Sequence, residues 1–267
     1  MANPILNEKF GDEAKGTCPI ERTLDSINPN VDTPVYDGEL VIDSEPMTIS
    51  GTMNKLALLF GFVLIGAFLT WSQFNAGMTD KVNMLMIGGG ILGFILAMVI
   101  IFQKTTAKFL APIYAICEGL LLGGISAIFE KAYPGVVFQA VSGSFAAFAI
   151  VLFLYKSRAI RYTQKFAAVM LTALLSICVI YLIQFFAGFF GRSIPLIFES
   201  GPIGIGFSAV VVVIAALSFI QDFNFIELAT EKMLPKYYEW YGAFGVLLTF
   251  IWLYMEILRL LAKLRQR

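Results

Sequence analysis

Histidine is absent from the 267 residues of the chain, and this absence is the first limit on its chemistry. Without imidazole there is no Ser–His or Cys–His nucleophile pair and no histidine-ligated metal site, which argues against a rhomboid-type protease. An intramembrane aspartyl protease would need two aspartates within spans, where only Asp222 is available, and a retinal Schiff base would need a lysine deeper than Lys263. A GxxxxGKS or GxxxxGKT phosphate loop is also missing. We therefore expect that the chain is not an enzyme.

Charged residues are scarce at 14%, whereas hydrophobic residues make up 58% of the sequence. Soluble domains have about 25% charged and about 45–50% apolar residues, and a chain of this length cannot bury so large an apolar surplus. Cysteine is scarce as well: Cys18, Cys117 and Cys178 form no CxxC pair, and the last two lie within apolar runs as expected for small core residues. The surplus predicts an integral membrane protein whose main partner is the lipid bilayer.

The first 50 residues differ in composition from the rest of the chain. They carry ten acidic and three basic residues, and they contain no basic stretch followed by an apolar one. Such a polar, acidic segment buries too little surface to offset its ordering entropy, and it does not resemble a secretory signal. We expect residues 1–50 to be a disordered cytoplasmic tail, with residues 51–267 forming the membrane domain.

Seven apolar runs follow, each long enough to cross a bilayer as a helix of about 20 residues. Their connections are short, and no alternation typical of barrel strands is present. The predicted fold class is therefore an all-α bundle of seven transmembrane helices. The predicted spans are residues 54–74, 83–102, 108–129, 135–155, 166–190, 202–228 and 239–262.

Small and polar residues share one face of the last span. They are Tyr238, Gly242, Gly245, Thr249, Trp252, Glu256, Arg259 and Lys263. A stripe of this kind must face protein or water rather than acyl chains, so we expect the last helix to be central.

Loop charges predict the orientation, because Lys and Arg concentrate on the cytoplasmic side. Loops on the N-terminal side carry eight bases and those on the opposite side three, which predicts a cytoplasmic N-terminus. The basic C-terminal tail, which includes Lys263 and Arg265, departs from this rule. Either the loop charges determine the orientation and the C-terminus lies outside the cell, or one segment is re-entrant and both ends are cytoplasmic.

Five carboxylates fall within or near the predicted spans, where ionisable groups are costly and usually mark a pathway or a pair. Glu118 lies near the middle of the third span and Asp222 on the polar stripe of the sixth, and both are interpreted as proton- or cation-binding groups. Glu256 is one turn from Arg259 and is interpreted as an ion pair that also faces the pathway. Glu227 and Glu239 are supporting acids near span ends.

Carboxylates are also the ligands that hard cations such as calcium select. Burial and neighbouring acids raise carboxyl pKa values in general. In a chain without histidine, a response to pH near 7 must therefore come from acids of this kind.

Several phrases, taken as a set, resemble the bacterial branch of the Bax inhibitor family (transmembrane Bax inhibitor motif proteins), in particular a subgroup with a long polar N-terminus. The phrases are Ala111-Pro112-Ile113-Tyr114-Ala115, Glu118-Gly119, Phe129-Glu130, Asp222-Phe223-Asn224, Tyr238-Glu239-Trp240-Tyr241 and Trp252-Leu253-Tyr254-Met255-Glu256-Ile257-Leu258-Arg259. The resemblance implies six helices around a central seventh and a pH-sensitive calcium leak across the bacterial plasma membrane. It places Tyr114 among the supporting residues.

The resemblance also implies a pair of aspartates, one on the sixth helix and one on the seventh, that share a proton and control the pore. Asp222 matches the first, but the second position is Thr249 in this sequence. The arginine latch of the relatives has Lys104 or Lys108 as its nearest counterpart. Our hypothesis is that Glu118 partly replaces the missing acid, at a depth about two helical turns from Asp222, with calcium near both carboxylates.

We expect a passive cation leak or ion-homeostasis protein, with calcium as the permeant ion and no cofactor. One alternative is a regulatory protein that modulates a membrane protease or another membrane complex through its acidic tail. A further alternative is a proton-coupled solute transporter, which predicts inverted repeats that the two halves do not show. Nucleic acid is not an expected partner, and the sequence indicates no oligomeric state.

Overall fold

Seven long helices form the membrane domain of the chain. The computed structural model describes residues 45–160, 162–189 and 201–266. The tail was expected to be disordered, and its residues 1–44 lie outside the described residues. All seven helices are long and apolar enough to cross a membrane, which confirms the predicted fold class. They are α1 (Ile49–Asn75), α2 (Thr79–Phe102), α3 (Ala107–Ala132), α4 (Val136–Lys156), α5 (Gln164–Phe189), α6 (Pro202–Glu231) and α7 (Tyr238–Arg265), with a 3₁₀ turn at Lys104–Thr106.

The helix ends follow from local sequence. The Thr48 side chain caps α1 by accepting a hydrogen bond from the Gly51 amide at 3.0 Å, which satisfies one of the free amides of the first turn. Pro202 opens α6 at a position where its missing amide has no cost. Gly77 and Gly135 end their turns with positive φ values of 74° and 83°, a conformation that glycine adopts without strain.

Connections alternate between two faces of the bundle. On the face where α1 begins, called here the N face, Met47 donates a backbone hydrogen bond of 2.8 Å to Leu234 in the α6–α7 connection. On the opposite face, called here the C face, the Arg265 guanidinium at the end of α7 donates to the Pro134 carbonyl between α3 and α4 at 2.8 Å. The first and last described residues therefore lie on opposite faces, as seven complete crossings require.

Small residues bring α1, α2 and α3 into backbone contact. A Cβ atom placed on Gly119 would overlap the Val63 carbonyl of α1, and one on Gly123 would overlap Ala67. A Cβ on Gly89 of α2 would come within 2.7 Å of the Cys117 carbonyl. Apolar side chains gain little from packing on each other rather than on lipid, so such close backbone contact is what holds membrane helices together.

α7 is the central helix of the bundle. Its apolar window has the largest buried share of the seven, and it packs against α1, α3, α4 and α6. α2 lies outside, on α3 and α1, and α5 is the least buried helix, packed beside α6. The polar stripe predicted for α7 therefore faces the interior of the protein.

Candidate functional site

Asp222 lies in a cavity between α6 and α7. The cavity measures about 330 Å³, and its other lining residues include Lys104, Tyr241, Gly245 and Thr249. Asp222 is nine residues from the end of α6, which places it about 14 Å along the helix from the N face. α6 has 30 residues, about 45 Å, and the hydrocarbon core is about 30 Å thick, so a helix centred in the bilayer places this carboxyl about 6 Å inside the hydrocarbon.

The carboxyl of Asp222 is only partly satisfied. Its Oδ2 atom is buried and has no hydrogen-bond partner among the described residues, while the Thr249 side chain interacts with the carboxyl from α7. Gly245, one turn before Thr249, leaves room for the other oxygen: a Cβ there would be 3.8 Å from Oδ1. Burying a carboxylate oxygen without a hydrogen-bond donor costs free energy. We therefore expect a proton, a water molecule or a cation to bind at this oxygen.

Lys104 stands at the N-face end of the same cavity. Its ammonium nitrogen lies 5.9 Å from the ring centre of Tyr238 and 5.6 Å from that of Tyr241, both within the range of cation–π attraction. The side chain is exposed and makes no ion pair with any described residue. A positive charge thus lies beside two aromatic rings at the N-face end of the Asp222 cavity.

Glu118 does not join Asp222. It is half-buried, and its Oε2 atom faces α2, where a Cβ on Gly93 would approach it to 3.0 Å. No hydrogen bond or ion pair connects Glu118 to Asp222 in the described part of the chain. Glu118 is eleven residues, about 16 Å, from the start of α3. Its carboxylate is directed toward α2, whereas Asp222 lies between α6 and α7.

Tyr114 links the surroundings of the two acids. It is buried one turn before Glu118 on α3, and its ring meets that of Phe244 of α7 edge to face, with 5.0 Å between centroids. Phe244 in turn lines the Asp222 cavity. The supporting role expected for Tyr114 is thus compatible with its place in the wall between the two acids.

Glu256 forms a polar cluster with α5 in the C-face half of the bundle. Its carboxylate accepts hydrogen bonds from the Tyr181 hydroxyl at 2.8 Å and the Arg259 guanidinium at 3.1 Å, and only 2% of the residue is exposed. The Arg259 guanidinium also donates to the Tyr181 oxygen at 2.8 Å. The ion pair inferred from spacing is present, and Tyr181 is a member that the sequence reading did not include.

The remaining two acids hold helix ends on the N face. Glu239 at the start of α7 accepts hydrogen bonds from the Thr48 amide and hydroxyl, both at 2.9 Å, and pairs with Lys55 of α1. Glu227 of α6 pairs with Arg158 at 2.6 Å and accepts a hydrogen bond from Tyr155 of α4. Both arrangements join neighbouring helices and lie apart from the Asp222 cavity.

Lys263 lies on the predicted stripe of α7, but its partners on α6 were not predicted from the sequence. It is 6% exposed, and its ammonium donates to the Gly204 carbonyl at 3.1 Å and to the Ser208 hydroxyl at 2.9 Å on α6. Gly204 and Ser208 are buried on α6, as Lys263 is on α7.

The described residues contain no group of three His, Cys, Asp or Glu side chains that could hold a metal ion. Asp222 is the one carboxylate of the described chain that lines its cavity, and Thr249 and Tyr241 also line it.

No curated protein matches the chain. A family model described as Bax inhibitor 1 like matches residues 3–266, nearly the whole length, and so agrees with the resemblance carried by the sequence phrases. The chain belongs to the Bax inhibitor 1 like family.

Proposed function

We propose that the protein is a passive, pH-sensitive calcium leak of the bacterial plasma membrane, with its N face toward the cytoplasm. The observation that carries the proposal is the Asp222 Oδ2 atom, buried at hydrocarbon depth without a hydrogen-bond partner among the described residues. An acid in such a place is usually part of an ion or proton pathway.

The chemistry of the site supports a competition between protons and cations. Protonated Asp222 carries no charge and does not attract a cation, whereas the ionised carboxylate does, so occupancy by one excludes the other. With no histidine in the chain, carboxyls are the groups that can give a response near neutrality. Thr249 supplies a neutral oxygen where the family resemblance implies a second acid.

The position of Lys104 supports a gate at the N-face end of the Asp222 cavity. Its positive charge repels cations at the N-face end of the cavity, and its hold on Tyr238 and Tyr241 is weak, about 0.5–1 kcal/mol for an exposed cation–π contact. Glu118 is proposed as the second acid of the pathway. It acts from the α2–α3 interface without direct contact to Asp222.

The test is calcium entry into calcium-free liposomes that contain the purified protein and an internal calcium dye. Entry should depend on pH in the native chain, and Asp222→Asn should reduce it at least about ten-fold and remove the pH dependence. The matched control is Glu227→Gln, which removes a carboxylate from the same helix outside the cavity. Absence of entry at every pH, or equal entry in Asp222→Asn, would end the proposal.

A deletion distinguishes the leak from the regulatory alternative, in which the acidic tail docks on a membrane complex. Removal of residues 1–44 keeps the contacts of Glu45 and Met47 with the α6–α7 connection. A leak should retain its flux after this deletion. Loss of flux with the fold intact would favour a function that depends on the tail.

A further inference from the structure

A second cavity opens on the N face between α1, α4 and α6. It measures about 370 Å³ and shares no lining residue with the Asp222 cavity. Its walls are apolar and come from the first turns of α1 and the last turns of α4 and α6. They include Ile49, Met53, Leu152, Phe223 and Ile226. The groove therefore lies where the N-face leaflet of a bilayer passes from acyl chains to headgroups.

The rim of this groove is basic. Lys156 and Arg158 line it together with Glu227. Glu227 is already paired with Arg158 and bonded by Tyr155, while Lys156 is exposed and has no ion pair with any described residue. The Arg158 side chain is 65% exposed, so several of its five N–H donors remain available. The rim keeps one positive charge beyond its internal pair.

The sequence around the rim adds to this charge. Residues 156–165 contain four bases and no acid. Basic clusters beside a transmembrane helix attract anionic lipids by about 1 kcal/mol per side chain. An apolar groove that ends in such a rim matches a molecule with an acyl chain and a negative headgroup. A neutral lipid would leave the positive charge of the rim without a counter-charge.

We propose that this groove is a binding site for one anionic phospholipid of the N-face leaflet. An acyl chain lies along Met53, Leu152 and Phe223, and the headgroup phosphate is bound by Lys156 and Arg158. Lys stems extend along apolar surface while the ammonium stays at headgroup level, which suits Lys156 to this position. The site is separate from the ion pathway and stands whether or not the protein conducts calcium.

Lipid retention tests the proposal. The full chain is placed in membranes of equal phosphatidylglycerol and phosphatidylcholine and released into native mass spectrometry, where bound lipids are counted. Phosphatidylglycerol should be retained in preference to phosphatidylcholine. Lys156→Gln should reduce that preference about five-fold, the effect of one basic side chain at the membrane surface. The control Lys165→Gln, an exposed lysine at the start of α5 that does not line the groove, should reduce the preference clearly less.

A second variant tests the apolar part of the groove. Leu152→Trp fills the groove without changing charge and should reduce retention of both lipids, with an unchanged unfolding midpoint as evidence of folding. Equal retention of the two lipids by the native chain would overturn the proposal, as would an equal effect of Lys156→Gln and Lys165→Gln. Retention unaffected by Leu152→Trp would also overturn it, since the lipid would then be held at the surface by charge alone.

Discussion

The Tyr181 hydroxyl of α5 donates a 2.8 Å hydrogen bond to the Glu256 carboxylate of α7, across a space of about 400 Å³ that these helices leave between them. That space is lined by Leu174, Ile177 and Cys178 on one side and Trp252 on the other. α5 is the least buried helix, and this hydrogen bond is one of the contacts that join it to the central helix.

Tyr181→Phe should therefore loosen α5. The loss of a hydrogen bond to a charged group is worth about 1.5–3 kcal/mol, while Glu256 keeps its pair with Arg259. Spin labels on α5 and α7 should report a broader distance distribution, together with a lower unfolding midpoint in detergent. Tyr162→Phe, whose hydroxyl bonds to no described residue, is the control, and the same broadening in both variants would contradict the assignment.

Glu239→Gln should destabilise the N face. Lys55, with 17% of its side chain exposed, would lose its carboxylate partner, and Thr48 would keep only a neutral acceptor. Breaking a buried pair by removing one partner costs about 3–5 kcal/mol, which should lower the unfolding midpoint clearly.

Glu45→Gln is the matched control for Glu239→Gln, because Glu45 also pairs with a lysine, Lys236, but both side chains are largely exposed. Solvated pairs contribute little, so no measurable change is expected above pH 5. Lys236 lowers the Glu45 pKa, hence the pair's small contribution is present above the ordinary carboxyl pKa and is lost as pH falls through the lowered value. A destabilisation equal to that of Glu239→Gln would contradict this account.

Thr249→Asp should restore a pair of acids across the Asp222 cavity. Two close carboxylates cannot both ionise at low cost, and they titrate as a coupled pair with separated apparent pKa values. In the liposome assay the pH profile of calcium entry should become broader, with two steps. Thr249→Val, which removes the hydroxyl without adding charge, should leave a single step, and identical profiles for the two variants would show that position 249 does not act on Asp222.

Gly119→Ala should separate α1 from α3. The added methyl group would overlap the Val63 carbonyl, which is backbone and cannot move aside cheaply, and overpacking of this kind costs about 1–3 kcal/mol. Gly61→Ala is the control on α1, because nothing lies within 4 Å of its Cβ position. There alanine should be neutral or stabilising, since it favours the helix. Equal loss of stability in both variants would contradict the close-contact explanation.

The seven helices and the central place of α7 were predictable because hydropathy and a stripe of small and polar residues act along one helix at a time. Asp222 and Thr249 were likewise predicted to matter, and they share a cavity. The side chains that contact each acid were harder to predict from the sequence. Whether Glu118 turns toward Asp222 or toward Gly93 depends on the rotation of α3 about its axis, which is set by close contacts at Gly119 and Gly123.

Side chains recruited from distant helices were also missed. In the sequence, Tyr181 resembles an aromatic residue of the membrane interface and Lys263 resembles a basic residue at a helix end. Their sequence neighbours do not indicate that Glu256 lies beside Tyr181 or that Ser208 lies beside Lys263. Such partners become visible only when the packing of α5 and α6 on α7 is known.

The contact between Glu239 and Thr48 joins residues 191 positions apart. During synthesis from the N-terminus, Lys55 and the free amides at the start of α1 enter the bilayer long before the carboxylate that satisfies them exists. The N-face end of α1 therefore lacks this hydrogen-bond acceptor until α7 has been synthesised. A chain that stopped before α7 would therefore lack the carboxylate that binds Thr48 and Lys55, although its first helix could still pack against α3.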